Sequence, residues 1–318
     1  MKRFTLFLFA SVIAAGQSFA QQDPRFTHYL YNQQYFNPAA AGMDGSARFM
    51  MLGRAQWLGY NQDGSAPNTG LFSFNTPLLR ASSGVGAVAY YERFAAVSAL
   101  AIRGNYAYHL NVGSGKLSIG ASVGMVSQGR DRSKYKFIDQ NDPSIPASVN
   151  SMQPDLGAGI YYKTQKLFVG LSAMHLTAPT FTYNGQGSTT SKETLVRHYY
   201  GIVGYNYEVN PTLTLTPSIL YKSANFNSKA TSIEGNITAN INNRFSIGAG
   251  YTQQEAVNVL VGLSLLKDNS LRLGYALDLV TSGRNAKQST SQELMLAYQL
   301  PVTLKGPRPA IRTPRYRK

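Results

Sequence analysis

Much of the chain alternates between apolar residues and small or polar ones, which is the pattern of β-strands with two different faces. In Lys116–Ser127, leucine, isoleucine, alanine, valine and methionine alternate with serine and glycine. In Leu271–Leu279, Arg272 and Asp278 lie on a face otherwise made of glycine and alanine. These bare charges suit a wet lumen, because they would be costly in a sandwich core unless they were paired.

The spacing of these segments predicts how the strands are connected. After about residue 45, roughly fourteen segments follow one another, each about as long as a tilted membrane strand. Some gaps are long, and four are four-residue turns: Lys163–Lys166, Glu208–Pro211, Ile241–Arg244 and Lys267–Ser270. Outer-membrane barrels alternate in this way, because their periplasmic turns are short and their outer loops are long. The sequence therefore predicts an all-β fold, a transmembrane outer-membrane β-barrel of about 14 antiparallel strands.

An even number of strands places both termini on the periplasmic side. The long gaps then become outer loops, rich in the turn-forming residues of solvated loops. These loops are Tyr60–Asn68, Gly129–Gln153, Thr177–Glu193, Lys222–Ser228 and Thr281–Ser289.

The composition narrows the class of protein further. With 14% charged residues and a mean hydropathy of −0.20, the chain is too polar for a helical membrane protein and low in charge for a soluble one. The absence of cysteine excludes disulfides, thiolate metal sites and a lipid anchor on cysteine. Eight of the +15 excess charges lie in Lys2–Arg3 and Lys305–Lys318. The remaining charge is spread widely, unlike the basic stripe of a nucleic-acid-binding face.

Four regions are predicted along the chain. Residues 1–20 have the basic start, apolar run and small residues of a signal peptide cleaved after Ala20. Residues 21–45 are expected in the periplasmic mouth or the lumen, because their aromatic and leucine side chains are too many to leave in water. Residues 46–300 form the barrel. Residues 301–318 form a basic periplasmic tail, whose prolines prevent it from extending the sheet.

The sequence contains no recognisable catalytic constellation. Its four histidines show no HExxH arrangement and have no cysteine to pair with. Gly113–Lys116 resembles the end of a phosphate-binding loop, but Leu110 and Leu117 stand where the motif needs glycine and serine or threonine. We therefore expect a protein that is not an enzyme, with no catalytic residue, cofactor or metal. A barrel enzyme would need a serine, a histidine and an acid at one rim.

Two segments are predicted to bind partners. The tail after the last strand fits a docking peptide for an acidic or aromatic-lined periplasmic partner, although a solvated end that meets lipid headgroups by charge is the alternative. In the N-terminal segment, Phe26 and Tyr29 share one face of a helical turn. The predicted partner-binding residues are Phe26, Tyr29, Tyr31, Arg308, Arg312, Arg315, Tyr316, Arg317 and Lys318.

Several motifs from Gln21 onward together resemble one family. They are Gln22–Asn32, Tyr35–Gly42, Gln56–Gly59, Ala66–Thr69, Phe74–Pro77, Pro217–Lys222, Gly274–Leu279 with Ser282, Ser291–Tyr298 and Ile311–Tyr316. With these motifs the chain resembles the PorP/SprF family of type IX secretion system outer-membrane proteins from Bacteroidetes. It departs from the family pattern at Gln292, where histidine is more frequent, and at Leu277–Asp278, where an acidic-aromatic pair is more frequent.

The resemblance implies a fourteen-stranded barrel in the outer membrane of a Gram-negative cell. Its implied role is protein export to the cell surface and, in gliding species, the display of adhesins. Its implied partners are periplasmic type IX secretion subunits, secreted proteins with C-terminal sorting domains and outer-membrane lipid, but no nucleic acid. The role could be that of a core component or of a holder for one substrate. The residues alone leave a diffusion channel or a hydrophobic-solute transporter as the alternative.

Overall fold

The computed structural model describes residues 23–59, 66–78, 81–134, 149–184, 190–227, 230–266, 268–282 and 288–300. Strands dominate this part of the chain. They are β1 (Arg48–Ala55), β2 (Asn68–Leu78), β3 (Ser83–Phe94), β4 (Val97–Val112), β5 (Gly115–Arg130), β6 (Val149–Lys163), β7 (Leu167–Met174), β8 (Thr180–Asn184), β9 (Thr190–Thr194), β10 (His198–Tyr205), β11 (Tyr207–Asn210), β12 (Leu213–Ala224), β13 (Thr231–Ile241), β14 (Phe245–Thr252), β15 (Ala256–Leu265), β16 (Leu271–Val280) and β17 (Thr290–Gln299).

Within the residues that the structure describes, helical structure is confined to short pieces. A four-residue α-helix, α1, covers Gln33–Phe36, and single 3₁₀ turns cover Tyr29–Tyr31, Pro38–Ala40 and Arg132–Lys134. None of the helices in the described ranges has the length and apolar character needed to traverse a lipid bilayer.

Fourteen of the strands form a closed antiparallel barrel, as the alternation predicted. Strands β1 to β7, β10 and β12 to β17 pair in that order. The barrel closes because β17 returns to β1, with Gln299 opposite Arg48 and Gln292 opposite Ala55. The hairpin β8–β9 forms a separate two-stranded sheet, and β11 is a short strand at the side of β12.

The two ends of the barrel differ in their connections. We name the end where β1 begins the turn end, and its connections are short, as at residues 113–114 and 164–166. The opposite end is the loop end, where residues 131–148 and 175–197 make the longest connections. Two loop-end connections are nevertheless tight, between β3 and β4 and between β14 and β15.

Several boundaries differ from the predicted ones. Thr177–Glu193, expected as a loop, contains β8 and most of β9, and Lys222–Ser228 begins within β12. Glu208–Pro211, expected as a turn, overlaps β11, which pairs with β12 through a shifted register. The expected loop Gly129–Gln153 is shorter, because β5 continues to Arg130 and β6 already begins at Val149. The extra residues are mostly polar, and they belong to the strands because the main chain of β5 pairs with β4 on one side and with β6 on the other. At 15 or 16 residues, β4 to β6 are longer than the roughly 9–11 residues that cross a bilayer.

Burial shows which face of the alternation points outward, a question that alternation alone leaves open. In β5, Ile119 and Val123 are 53% and 66% exposed, whereas Ser118 and Ser122 are buried. Exposure also alternates in β1, where Met51 is exposed and Met50 is buried, but the inward positions there include the apolar Met50 and Leu52 beside Arg54. The apolar face therefore forms the outer wall, as in a barrel surrounded by lipid, and the polar face lines the interior.

A charge on the outer wall should destabilise the barrel according to its depth in the bilayer. Val123→Lys, near the middle of β5, is expected to cost about 2–4 kcal/mol, because lysine would replace an apolar side chain in hydrocarbon. The measurement is reversible urea unfolding in lipid vesicles. The matched control is Val112→Lys at the turn end of β4, where the same change should cost about 0–1 kcal/mol. Equal losses in both variants would contradict this membrane placement.

Candidate functional site: a segment packed in the lumen

The lumen is filled by the chain's own N-terminal segment, Asp23–Ser46, which we name the luminal plug. Phe26 and Tyr29 are completely buried, and Tyr35 and Phe36 nearly so. The ring of Tyr35 packs edge-on against Phe26 and Phe36, with centroids 5.0 and 4.8 Å away. The aromatic side chains of the plug therefore form a small core that packs with apolar side chains of the strands, among them Met50, Leu52 and Met295.

Tight turns give the plug its local structure. The turn Tyr29–Tyr31, the helix α1 and the turn Pro38–Ala40 follow one another along it. The Asn37 side chain accepts a hydrogen bond from the Ala39 N–H at 2.9 Å and so caps the last turn, which begins with proline. These turns satisfy main-chain groups that would be costly to bury without partners.

Polar side chains of the wall bind further main-chain groups of the plug. The Ser118 hydroxyl donates to the Ala39 carbonyl at 2.6 Å, and the Ser172 hydroxyl donates to the Phe36 carbonyl at 2.6 Å. The Asn105 amide donates to the main chain of the plug in the same way. The inward polar face of the strands thus holds a polypeptide segment by hydrogen bonds.

Glycines in the wall let the plug approach closely. A Cβ atom on Gly120 would lie 2.4 Å from the Ala39 nitrogen, and one on Gly84 would lie 2.2 Å from the Ala41 oxygen. These separations are below any normal carbon contact, so a side chain at either position would force the plug or the strand to move. The small residues of the alternating pattern are therefore the surface against which the plug packs.

A buried charged cluster holds the first part of the plug to β1, β13, β16 and β17. We name it the carboxylate anchor, and its members are Arg25, Thr27, His28, Arg54, Glu234, Asp278 and Glu293. The Arg54 guanidinium contacts Asp278 at 2.6 Å and Glu293 at 3.1 Å. Arg25 contacts Glu234 at 3.3 Å. Two arginines thus offset three carboxylates in the interior.

The plug completes the carboxylate anchor with its own main chain. Glu293 accepts the N–H groups of Thr27 and His28 at 2.9 and 2.8 Å, and it lies 2.7 Å from His28 Nδ1. The Thr27 hydroxyl donates to Asp278 at 2.9 Å. Since a buried carboxylate is costly without charge-assisted partners, these bonds fix the plug in register with the wall.

A second cluster, the aspartate anchor, holds Asp23 at the loop end. The Asp23 carboxylate lies 2.9 Å from His175 Nε2 and accepts a hydrogen bond from the Tyr200 hydroxyl. The Lys222 ammonium donates to the Asp23 main-chain carbonyl at 2.8 Å. On its other side, His175 lies 2.9 Å from Asp155. All five side chains are buried.

Charge complementarity decides the ionisation of the aspartate anchor. Burial alone would raise the pKa of Asp23, but the neighbouring His175 and Lys222 hold it well below its usual value. Burial would lower the pKa of His175, yet Asp23 and Asp155 raise it to about 9. In the absence of another cation, the cluster is therefore an ion-pair network at neutral pH.

The plug runs the full height of the barrel. Asp23 lies at the loop end, whereas Asp44 contacts Arg48 and Lys163, each at 3.1 Å, at the turn end. Asp23 and Gln299 therefore lie at opposite ends, whereas the strand count alone placed both chain ends on one side. The difference arises because the chain passes through the lumen before it begins β1.

Cavities lie within the described part of the barrel towards both of its ends. The turn-end cavity, about 180 Å³, is bordered by Tyr31 and Asn32, and the loop-end cavity, about 210 Å³, by Glu92 and Phe181. They share no lining residue. The β8–β9 hairpin covers the loop-end cavity, and its Tyr183 hydroxyl donates to the Gln128 side chain at 2.7 Å. The two cavities are therefore distinct spaces.

The predicted partner-binding residues fall into two groups. Phe26 and Tyr29 are buried in the lumen, so they are inaccessible as the chain is folded. Tyr31 is partly buried beside the turn-end cavity, with the Arg272 guanidinium 5.0 Å from its ring centre. The residues of the tail lie outside the described residues, and these are Arg308, Arg312, Arg315, Tyr316, Arg317 and Lys318. Partner binding by either group stays a prediction.

Sequence reasoning missed most members of the two anchors. It noted Asp278 as a bare charge suited to water, but the structure pairs Asp278 with Arg54. Arg54 was not recognised, although it stands on the inward face of β1 between Gly53 and Ala55. Asp23, Thr27 and Glu293 lie within the motifs that resemble the family. Their place in these motifs was the signal that could have identified them as functional residues.

A closed barrel with an apolar outer wall and a lumen occupied by its own N-terminal segment defines a plugged outer-membrane barrel. The chain matches the type IX secretion system membrane protein PorP/SprF family over residues 18–298. It belongs to that family, and the resemblance seen in its motifs is confirmed. Among curated proteins, none matches the chain significantly.

Solved outer-membrane barrels are similar in fold, at low identity. Omp33 of Acinetobacter baumannii is 10% identical with a TM-score of 0.45, covering 80% of this chain and 99% of its own. A FadL homologue of Pseudomonas aeruginosa is 11% identical with a TM-score of 0.48, covering 88% and 95%. The toluene transporter TodX of Pseudomonas putida is 11% identical with a TM-score of 0.46, covering 88% and 95%. These likenesses are too distant to transfer a substrate.

Removal of the Arg54 charge should destabilise the plugged barrel. Arg54→Met is expected to cost about 3–5 kcal/mol, because it leaves Asp278 and Glu293 buried without their shared partner. Urea unfolding followed by the fluorescence of Trp57, the single tryptophan, measures this loss. The control is Arg93→Met, which removes an exposed arginine and should change stability by less than about 0.5 kcal/mol. Similar losses in both variants would show that the carboxylate anchor does not hold the fold.

Proposed function

We propose that the protein is a non-enzymatic outer-membrane component of the type IX secretion system. It supports the export or surface display of proteins, including gliding adhesins, by contacting periplasmic machinery and secreted substrate. The observation that carries this proposal is the plugged lumen in a member of this secretion family. A barrel closed by a segment with two buried anchors is better suited to hold partners at its ends than to pass solutes through its centre.

The orientation that fits this role has the loop end at the cell surface and the turn end in the periplasm. Short connections are typical of the periplasmic side of outer-membrane barrels, and long ones of the outer side. In this orientation Gln299, the last residue of β17, lies on the periplasmic side, so the chain continues into the basic tail there. Asp23 then lies towards the cell surface.

The two ends would therefore meet different partners. The loop end, with the β8–β9 hairpin, faces exported proteins that carry C-terminal sorting domains. The turn end and the tail face periplasmic secretion subunits, and the positive charge of Lys305–Lys318 suits an acidic surface on such a subunit. Tyr31 is the member of the predicted N-terminal group that lies nearest to this end.

A diffusion channel or hydrophobic-solute transporter is the alternative function. It requires a path through the barrel, and the luminal plug occupies that path with its buried aromatic side chains. The transporter reading would therefore need the plug to leave its two anchors.

Electrical recording separates these functions. The full-length protein in a planar bilayer is expected to show no steady single-channel conductance, because the plug fills the lumen. A variant that lacks residues 23–44 should conduct steadily, provided that it keeps the heat-modifiable gel mobility of a folded barrel. Steady conductance by the full-length protein would reverse the proposal in favour of a channel.

A tag inserted in the loop Thr281–Ser289 should be accessible to antibody on intact cells, which tests the orientation.

The tail is expected to be required for partner capture. Mild extraction by that tag should recover secretion subunits or a large surface protein in comparable amounts. Truncation after Leu304 should leave the barrel folded and abolish capture of the periplasmic subunits. Unchanged capture would remove the tail from this role.

A further inference from the structure

Two histidines and one aspartate converge where the plug meets the wall at the loop end. Asp23 comes from the plug, His175 follows β7, and His198 begins β10. They are 6%, 1% and 0% exposed. One donor atom from each residue lies within 4.8 Å of the donor atoms of the other two. Three parts of the chain thus bring a carboxylate oxygen and two imidazole nitrogens to one point.

The spacing of these atoms is close to that of a metal ligand set. His175 Nε2 lies 2.9 Å from one Asp23 carboxylate oxygen, and His198 Nδ1 lies 3.8 Å from the other. Transition-metal bonds to such ligands are about 2.0–2.2 Å long, so ligand atoms around one ion lie about 3–4 Å apart. Once His198 Nδ1 leaves the Val196 carbonyl and loses its proton, small side-chain movements would bring all three atoms into coordination.

The surroundings of His175 resemble the outer shell of a metal site. His175 Nδ1 lies 2.9 Å from the buried carboxylate of Asp155. A ligating histidine commonly directs its other ring nitrogen to a carboxylate, which fixes the ring and makes the ligating nitrogen more basic. The Tyr200 hydroxyl, bonded to the Asp23 carboxylate, orients the third ligand in the same manner.

The two ring nitrogens of His198 have different surroundings. The ring is completely buried, and within the described ranges its Nε2 atom has no hydrogen-bond partner, as is also true of Nε2 in His28 and His109. Its Nδ1 atom lies 3.0 Å from the Val196 carbonyl, which can only accept, so Nδ1 carries the ring proton in the absence of a metal. A metal bound at Nδ1 would have to displace that proton.

Two groups oppose a cation here, the proton that His175 carries in the ion-pair network, which a metal must displace, and Lys222. Its ammonium donates to the main-chain oxygen of Asp23, so both carboxylate oxygens remain directed at the histidine and tyrosine side chains. Its charge should weaken the binding of a metal without blocking the ligand atoms. Without a metal, the same residues form the ion-pair network described above.

We propose that Asp23, His175 and His198 form a binding site for a divalent transition metal, with Asp155 and Tyr200 as its outer shell. Two nitrogen ligands and one oxygen ligand, without sulfur, suit Zn²⁺ and also accept Co²⁺ or Mn²⁺. The bound metal would join the start of the plug to β7 and β10. This proposal does not depend on the secretion role, since it concerns only how the plug is held.

Metal titration of the full-length protein tests the site. After treatment with a chelator, the protein is titrated with Zn²⁺ alone and with Co²⁺ alone, and bound metal is counted by mass spectrometry. We expect one ion per chain, a higher midpoint of thermal unfolding with Zn²⁺, and a visible Co²⁺ absorption band. Asp155→Asn should weaken Zn²⁺ binding by about 10- to 100-fold, as loss of an outer-shell carboxylate does elsewhere.

Variants of two histidines decide between a site and chance binding. His198→Gln should lose stoichiometric binding and the thermal shift while it keeps the gel mobility of a folded barrel. His109→Gln is the matched control, because His109 bonds Ser118 in another part of the lumen, and it should bind as the unaltered protein does. If His198→Gln does not fold, the reading rests on Asp155→Asn. No bound ion, or equal Zn²⁺ binding by the unaltered protein, His198→Gln and Asp155→Asn, would overturn the proposal.

Discussion

The buried charge of Arg54 is the constraint around which the interior is arranged. Transfer of a guanidinium or a carboxylate out of water costs several kcal/mol per ion, and this cost is offset only where partners are close and well aligned. Arg54 meets this condition through Asp278 and Glu293. Neither carboxylate is satisfied by arginine alone, and the plug supplies the remaining hydrogen bonds from Thr27 and His28. The wall and the plug are therefore two halves of one polar network.

This dependence explains why the strands have two such different faces. The outer face needs only apolar side chains, because lipid offers no hydrogen bonds. The inner face must bind a folded peptide, so it combines hydroxyls and amides with glycines that leave room for the peptide backbone. Ser118 and Gly120 illustrate the combination, since neighbouring inward positions of β5 bond and accommodate the same residue, Ala39. A lumen filled only with water would not require that match.

The alternation and the gap lengths were sufficient to predict the fold class and the strand number, because both depend on local patterns. The family was predicted separately, from the resemblance of several short motifs. The interior was not predictable in the same way. Arg54 and Glu293 are far apart in sequence, and the local pattern around either residue does not indicate that it pairs with the other. Asp278 was read as a charge in water, because an isolated strand cannot show that an arginine faces it from another strand. Pairing across the barrel depends on closure, which no single segment specifies.

Closure itself has a consequence for how the protein is made. Arg54 lies on β1 and Glu293 on β17, the two strands whose pairing seals the barrel. Both side chains also hold the plug, so the seam and the plug share the same ion pairs. A sealed barrel without the plug would leave Glu293 and Asp278 short of hydrogen-bond donors, and a seated plug without the seam would leave Glu293 away from Arg54. Closure of the barrel and seating of the N-terminal segment are therefore coupled steps, each of which stabilises the product of the other.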